Sequence, residues 1–126
     1  MKTNYKIAIA LVTGAAIGGA AIQGLHAQAK PPGFTVLEID VKDAAAYAPF
    51  QKTGQEETLK QGGRFLVQGG TAEALVGAPP KRIVIVQWAS VDAAKRWYNS
   101  AAMKPVNEGR AKTTSSRIFV AEGKSN

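Results

Sequence analysis

Alternation of apolar and polar residues along the chain predicts four β-strands. Each run is short, and glycine, proline or a helix-capping residue stands at its ends. The third run is the strongest, because apolar side chains occupy both of its alternating sets of positions. The predicted strands are Phe34–Val41, Arg64–Val67, Lys81–Trp88 and Ser116–Ala121, with a short extended piece at Ala72–Val76 before the third.

A helix is predicted between the first two strands. Asp43 is a residue type that caps helix N-termini, so we expect the helix to run from Ala44 to Lys60. The pair Gly62-Gly63 should end it, because glycine tolerates the left-handed conformation at a helix exit. Its inner face is expected to contain Tyr47, Phe50 and Leu59.

A second helix is predicted between the third and fourth strands. Ser90 is its expected cap, and helical spacing of apolar residues continues to about Ser100. Pro105 is expected to interrupt the helical segment that follows, since a proline inside a helix removes a hydrogen bond. A short helical piece at Val106–Lys112 would remain before the last strand.

The order strand, helix, strand, strand, helix, strand predicts an α+β fold of the ferredoxin-like βαββαβ type, with a four-stranded antiparallel sheet and both helices on one face. In the third strand, Ile83 and Ile85 point to one face, whereas Val84, Val86 and Trp88 point to the other. Two helices can cover only one of these apolar faces. We therefore expect a homodimer packed sheet to sheet, with the Val86 side meeting the partner.

The N-terminal segment has the layout of a secretory signal peptide. Lys2 and Lys6 form a basic start, Ile7–Ile22 is apolar, and Ala27-Gln28-Ala29 offers small residues for cleavage. We expect cleavage after Ala29, export to the periplasm or the exterior, and one domain over residues 30–126. An uncleaved anchor is the alternative, but the run is shorter than the roughly 20 residues that span a bilayer. No stable membrane insertion is expected after cleavage.

The amino-acid composition limits the kinds of functional site that the chain can form. The chain has no cysteine, and its one histidine, His26, lies in the segment expected to be removed. No metal site, catalytic triad or cofactor is therefore predicted. The formal net charge is +7, but the basic residues are scattered, so no nucleic-acid partner is expected. A domain this small without disulfides also favours self-association.

Several local sequence patterns, taken together in their order and spacing, resemble those of a known family. The patterns are the helix start from Asp43 to Tyr47, Gly62-Gly63-Arg64, Gly69-Gly70, the Pro80–Trp88 strand with Arg82, Ala93-Ala94 with Trp97-Tyr98, and Arg110. Over Phe34–Gly123 the chain thus resembles domain-of-unknown-function family 1330, of the dimeric α/β-barrel superfamily. The resemblance implies a ferredoxin-like dimer and no particular activity.

Two departures from that family's pattern bear on catalysis. Gln87-Trp88 stands where the family usually has Glu-Phe, and an amide cannot take part in acid–base chemistry. Met103-Lys104 stands where an aromatic residue is usual. Both departures argue against catalysis in this chain.

Relatives in the superfamily place small ligands between the helices and the sheet. The corresponding candidates here are Glu38, Tyr47, Arg64, Arg82, Trp97, Tyr98 and Arg110, with Asp40 as an alternative to Glu38. An arginine fork at Arg64 could hold a carboxylate or a phosphate in a bidentate manner. The alternative is that Arg64 pairs with Glu38 or Asp40 across the sheet.

We therefore expect an exported dimer that binds a small anionic or aromatic organic ligand. One alternative is a cofactor-independent enzyme of monooxygenase or isomerase type, resting on Tyr98, an arginine and a carboxylate such as Glu38. The other is a purely structural oligomer. Loss of the strand-three glutamate favours binding over catalysis.

Overall fold

The computed structural model describes residues 30–125. The predicted signal peptide and its cleavage after Ala29 lie outside the described residues and stay predictions. Within residues 30–125, no helix is both long enough and apolar enough to cross a bilayer.

The described chain folds into one antiparallel sheet with helices on one side. The strand order is β2-β3-β1-β4, so the two central strands, β3 and β1, are not consecutive in the sequence. This is the ferredoxin-like arrangement, and the predicted fold class is confirmed. The elements in chain order are β1 (Gly33–Val41), α1 (Ala44–Lys60), β2 (Arg64–Gly70), β3 (Arg82–Trp88), α2 (Val91–Tyr98), α3 (Lys104–Thr113) and β4 (Thr114–Glu122).

Side-chain caps fix where the first two helices begin, as predicted. The Asp43 carboxylate accepts a hydrogen bond from the backbone N–H of Ala46 at 3.1 Å. The Ser90 hydroxyl accepts one from the N–H of Ala93 at 3.1 Å. Gly62 follows α1 with a φ of +97°, a conformation that residues other than glycine rarely adopt.

Three local predictions are wrong, each for a physical reason. The segment Ala72–Val76 is not extended, because it belongs to an irregular loop over residues 71–81. Leu59 is 61% exposed, and its neighbour Thr58 is buried instead, since Thr58 lies eleven residues after the buried Tyr47 on the same helix face. Pro105 lies in the first turn of α3, where a missing N–H costs nothing, so the helix begins there rather than breaking.

The hydrophobic core lies between the helices and one face of the sheet. Trp88 of β3 contacts Trp97 of α2, with ring centroids 5.0 Å apart. The Trp88 indole N–H also donates to the Thr35 hydroxyl at 3.0 Å, which ties β3 to β1 inside the core. The core residues are Leu37, Ile39, Val84, Val86, Trp88, Ala94, Trp97, Met103 and Val106.

The prediction that the Val86 side of β3 meets a partner is wrong. Val86 is only 1% exposed and packs beneath the helices. Alternation separated the two sets of side chains correctly but carried no information on which set the helices cover. Ile83 and Ile85 lie on the opposite face, together with the residues paired with them in β1 and β2.

That opposite face carries a patch of apolar side chains and bears no helix of the described chain. The register places it on alternate positions of all four strands. We call it the open face and define it by Phe34, Val36, Val67, Ile83, Ile85 and Phe119, all of which are half-buried or exposed. An apolar surface of this kind on a small domain usually marks an interaction site.

Replacing Val86 by Asp tests which face of β3 is the core. The carboxylate would be buried without a partner, so we expect the free energy of unfolding to fall by about 3 kcal/mol or more. Urea denaturation followed by circular dichroism measures this. Val76→Asp is the matched control, because Val76 is 97% exposed and should tolerate the same change. Equal stability of the two variants would contradict the assignment of the core.

Candidate functional site

A cleft opens between helices α1 and α3 and the covered face of the sheet. It holds about 440 Å³ of space, part of it open to solvent. We call it the helix-side cleft. Its walls are mainly apolar and are formed by Leu37, Ile39, Phe50, Phe65, Val84 and Val86. The polar part of the lining consists of Tyr47, Gln51, Gln55, Thr58, Gln68, Arg82, Trp97 and Arg110.

Arg110 enters the cleft from helix α3 and is only 5% exposed. Its Nη1 donates to the Asn107 side-chain oxygen at 2.9 Å. Asn107 in turn donates from Nδ2 to the backbone oxygen of Tyr98 at 2.9 Å, so the side chain that orients Arg110 is itself fixed to the end of α2. The Nε of Arg110 is buried and has no hydrogen-bond partner among the described residues.

Arg82 reaches the same cleft from the first position of β3. It pairs with Ile39 of β1, which places it on the covered face of the sheet. Its Nε is also buried without a partner within residues 30–125. The guanidinium lies against the backbone of Gly69, where an added Cβ would be 2.5 Å from Nη1 and 2.6 Å from Cζ. The φ of +72° favours glycine at this position, and an added Cβ would displace the end of the Arg82 side chain.

Trp97 completes a group of unpartnered donors. The side chain is 2% exposed, and its indole Nε1 has no hydrogen-bond partner in the described part of the chain. Three residues of the cleft lining thus each carry a buried N–H group without a partner, namely Arg82 Nε, Arg110 Nε and Trp97 Nε1. The lining contains no Asp or Glu among the described residues, so the charge of the cleft is positive.

Arg64 and the two candidate acids of β1 lie outside the cleft. Arg64 is exposed and pairs with Gln87 in the register of β2 and β3, and Glu38 shares that sheet face. Within the chain Glu38 forms an ion pair with Arg117 at 3.1 Å. Asp40 pairs with Lys42 at 2.7 Å, and this hydrogen bond holds the pKa of Asp40 below its usual value.

Tyr98 also lies outside the helix-side cleft. Its exposed ring lines a separate groove between α2 and β4, which it shares with Thr35 and Phe119. Trp97 lies between the two cavities and lines both, with its ring centroid 6.2 Å from that of Tyr98. Of the seven candidates, the fold brings together Tyr47, Arg82, Trp97 and Arg110, whereas Glu38, Arg64 and Tyr98 are elsewhere.

Some lining residues were not singled out from the sequence. Gln51 and Gln55 follow Tyr47 by one and two helical turns, so helical spacing from Tyr47 could have found them. Gln68 could not be found in this way, because irregular pairing with β3 between Phe65 and Val67 changes which residues of β2 share a face. Asn107, which contacts Arg110 from outside the lining, lies three residues before it on α3, so helical spacing could have found that contact as well.

The chemistry of the lining suits binding through hydrogen bonds and charge. Within residues 30–125, no group of three or more His, Cys, Asp or Glu side chains could hold a metal ion. The guanidinium groups offer fixed donors for a planar anion, and the aromatic rings offer flat apolar surfaces.

Comparison with known proteins places the fold and the family. The family model described as Domain of unknown function (DUF1330) matches residues 32–124. No curated protein matches the sequence.

Several solved structures share the fold at low sequence identity. A protein of unknown function from Rhodopseudomonas palustris is 15% identical, with 85% of this chain and 94% of that chain covered and a TM-score of 0.62. SnoaB, a cofactor-independent oxygenase from Streptomyces nogalater, is 14% identical, with 76% and 96% covered and a TM-score of 0.56. A conserved protein from Methanosarcina mazei is 17% identical, with 79% and 100% covered and a TM-score of 0.53.

Replacing Gly69 by Ala tests whether this glycine makes room for Arg82. Gly77 is the matched control, because its φ of +76° is similar and an added Cβ would meet nothing within 4 Å. We expect Gly77→Ala to lose about 1 kcal/mol of unfolding free energy from backbone strain alone. Gly69→Ala should lose more, because the guanidinium must also move. Equal losses in thermal or urea unfolding would contradict the role of Gly69.

Proposed function

We propose that this chain, which belongs to the DUF1330 family, is an exported homodimer that binds a small anionic or aromatic organic molecule in the helix-side cleft. One observation carries the proposal: three residues that line a single apolar-walled cleft each have a buried N–H donor without a partner. Ligand sites combine apolar walls with a few polar groups that orient the ligand, and this cleft has that composition.

The energetics of the unpartnered donors support a ligand. A buried donor left without an acceptor costs about 1–3 kcal/mol, so a chain rarely places several around one cavity. Acceptor atoms of a ligand would recover that cost on binding. The aromatic lining, with Tyr47 and Phe50 on α1 and Trp97 on α2, suits a flat apolar body.

The open face supports the dimeric part of the proposal. It is the face of the sheet that the helices leave uncovered, and a second copy would bring an identical surface with the same apolar side chains. Two copies related by a two-fold axis would bury both open faces at once. The ion pair between Glu38 and Arg117 lies on the same face, where it would be enclosed between the two sheets.

Cofactor-independent oxygenation is the second candidate function, because SnoaB shares the fold with a TM-score of 0.56. The residues of this chain favour binding instead. The acid–base set considered for catalysis is dispersed, with Glu38 on the open face and Tyr98 outside the cleft. Within the described residues, the cleft lining offers a tyrosine but no carboxylate.

Export is tested by sequencing the N-terminus of the protein recovered from the exported fraction of its host. A mature chain beginning at Lys30 is expected. A chain that retains residues 1–29 would contradict cleavage and would favour the uncleaved anchor.

The dimer is tested by Ile85→Asp. The substitution places a charge at the centre of the open face, so we expect a folded monomer in place of a dimer in analytical ultracentrifugation. Val76→Asp adds the same charge on the exposed loop and should remain dimeric. A dimeric Ile85→Asp variant would contradict sheet-to-sheet assembly.

The ligand is tested by native mass spectrometry of the protein recovered from its own host. We expect a small molecule to accompany the wild-type dimer and to leave on collisional activation. Gln55→Trp fills the cleft and should abolish this added mass. Glu56→Trp, at the adjacent exposed position on the same helix, should retain it.

Either of two results would contradict binding in this cleft. One is a wild-type dimer that carries no added mass and takes up no aromatic or anionic probe in solution, as expected for a purely structural oligomer. The other is a Gln55→Trp variant that retains the added mass as fully as Glu56→Trp, since the ligand would then lie elsewhere.

A further inference from the structure

Two positive charges in the helix-side cleft have no counter-charge. Within residues 30–125, neither Arg82 nor Arg110 takes part in an ion pair. Arg110 is the more deeply buried of the two, and its one side-chain partner, Asn107, is neutral. A buried charge is normally paired, because removing it from water is costly.

The chain does not supply the missing negative charge from the cleft walls. The remaining hydrogen-bonding side chains of the described lining are Tyr47, Gln51, Gln55, Thr58 and Gln68, all uncharged groups. The two acids considered from the sequence, Glu38 and Asp40, lie on the open face and pair with Arg117 and Lys42. A bound anion would supply that counter-charge.

Arg110 is held in place before any ligand arrives. Asn107 fixes it through the 2.9 Å hydrogen bond and is itself bonded to the end of α2. Prior ordering of this group lowers the entropy lost when an anion binds. The guanidinium of Arg82 lies close to the backbone of Gly69. In each arginine, Nε has no hydrogen-bond partner among the described residues.

We propose that the ligand of this cleft is a carboxylate with an apolar aryl or alkyl body, whose carboxylate is bound by Arg82 and Arg110. The inference rests on the proposed function and specifies its ligand class. A guanidinium matches a carboxylate through parallel hydrogen bonds, which makes this pair stronger than neutral ones. The apolar body contacts the walls, where Phe50, Phe65 and Leu37 are available.

The apolar walls distinguish this class from a free inorganic anion. Phosphate is strongly charged on every side, so in this cleft part of its surface would face apolar side chains and lose hydration without compensation. An aryl carboxylate separates the two requirements, with charge at one end and apolar surface at the other. The positive and apolar parts of the lining are thereby both satisfied by one molecule.

Isothermal titration of the full mature chain with three probes tests this class. Benzoate carries the charge and the ring, benzyl alcohol carries the ring alone, and inorganic phosphate carries charge alone. We expect benzoate to bind at least about tenfold more tightly than either of the others, since charge-assisted hydrogen bonds are the stronger ones. Arg82→Gln and Arg110→Gln should each lower the affinity for benzoate by about tenfold and leave the affinity for benzyl alcohol unchanged. Arg96→Gln, at an exposed position on α2, should change neither.

The stability of Arg110→Met separates a binding role from a structural one. Replacing an unpaired buried charge by an apolar side chain of similar length should leave the ligand-free unfolding midpoint unchanged or raise it. A large drop in that midpoint would show that Arg110 serves folding, and it would overturn the inference. This measurement is independent of whether any probe binds.

The remaining outcomes separate the two proposals. If benzyl alcohol binds as tightly as benzoate, the inference that the ligand is a carboxylate is overturned, whereas the proposal that the cleft binds a small molecule still stands. Phosphate binding as tightly as benzoate would overturn the carboxylate class in favour of a general anion site. If no probe binds and native mass spectra carry no added mass, both proposals fail.

Discussion

The sheet has two apolar faces, and the helices of the chain can cover only one of them. This constraint determines the rest of the molecule. On the covered face, contact between Trp88 and Trp97 joins the sheet to α2, and the Trp88 hydrogen bond to Thr35 joins the two central strands. On the other face, no helix of the described chain covers the apolar side chains. The core and the open face are therefore formed by alternate positions of the same strands.

The elements and the fold class could be predicted because they depend on local periodicity and on caps. Asp43 and Ser90 cap their helices as their residue types indicate. Which sheet face the helices cover could not be predicted, since alternation treats both faces of β3 alike. The helices cover the face opposite to the expected one, which reversed the expected role of Val86.

The sequence predicted the types of side chain in the candidate site better than it predicted which residues lie together there. Tyr47, Trp97 and Arg110 lie on helices, and the fold brings them together on the covered face. Arg82 and Arg64 are alike in sequence, each opening a strand, yet they lie on opposite faces. Only the pairing of their strands separates them. The deep burial of Arg110 also has no sequence signal, because it arises from packing of α3 against α1.

The irregular pairing of β2 bears on edge-to-edge aggregation, in which the exposed edge strand of one copy pairs with a strand of another. β2 is an edge strand, and its register with β3 shifts between Phe65 and Val67 and again between Gln68 and Gly70. Two such irregularities within seven residues bend and twist the strand, so its free backbone groups present a poor template for another strand. Uncontrolled growth of the sheet from that edge is thereby discouraged, and the same distortion that seats Gly69 beside Arg82 also protects against aggregation.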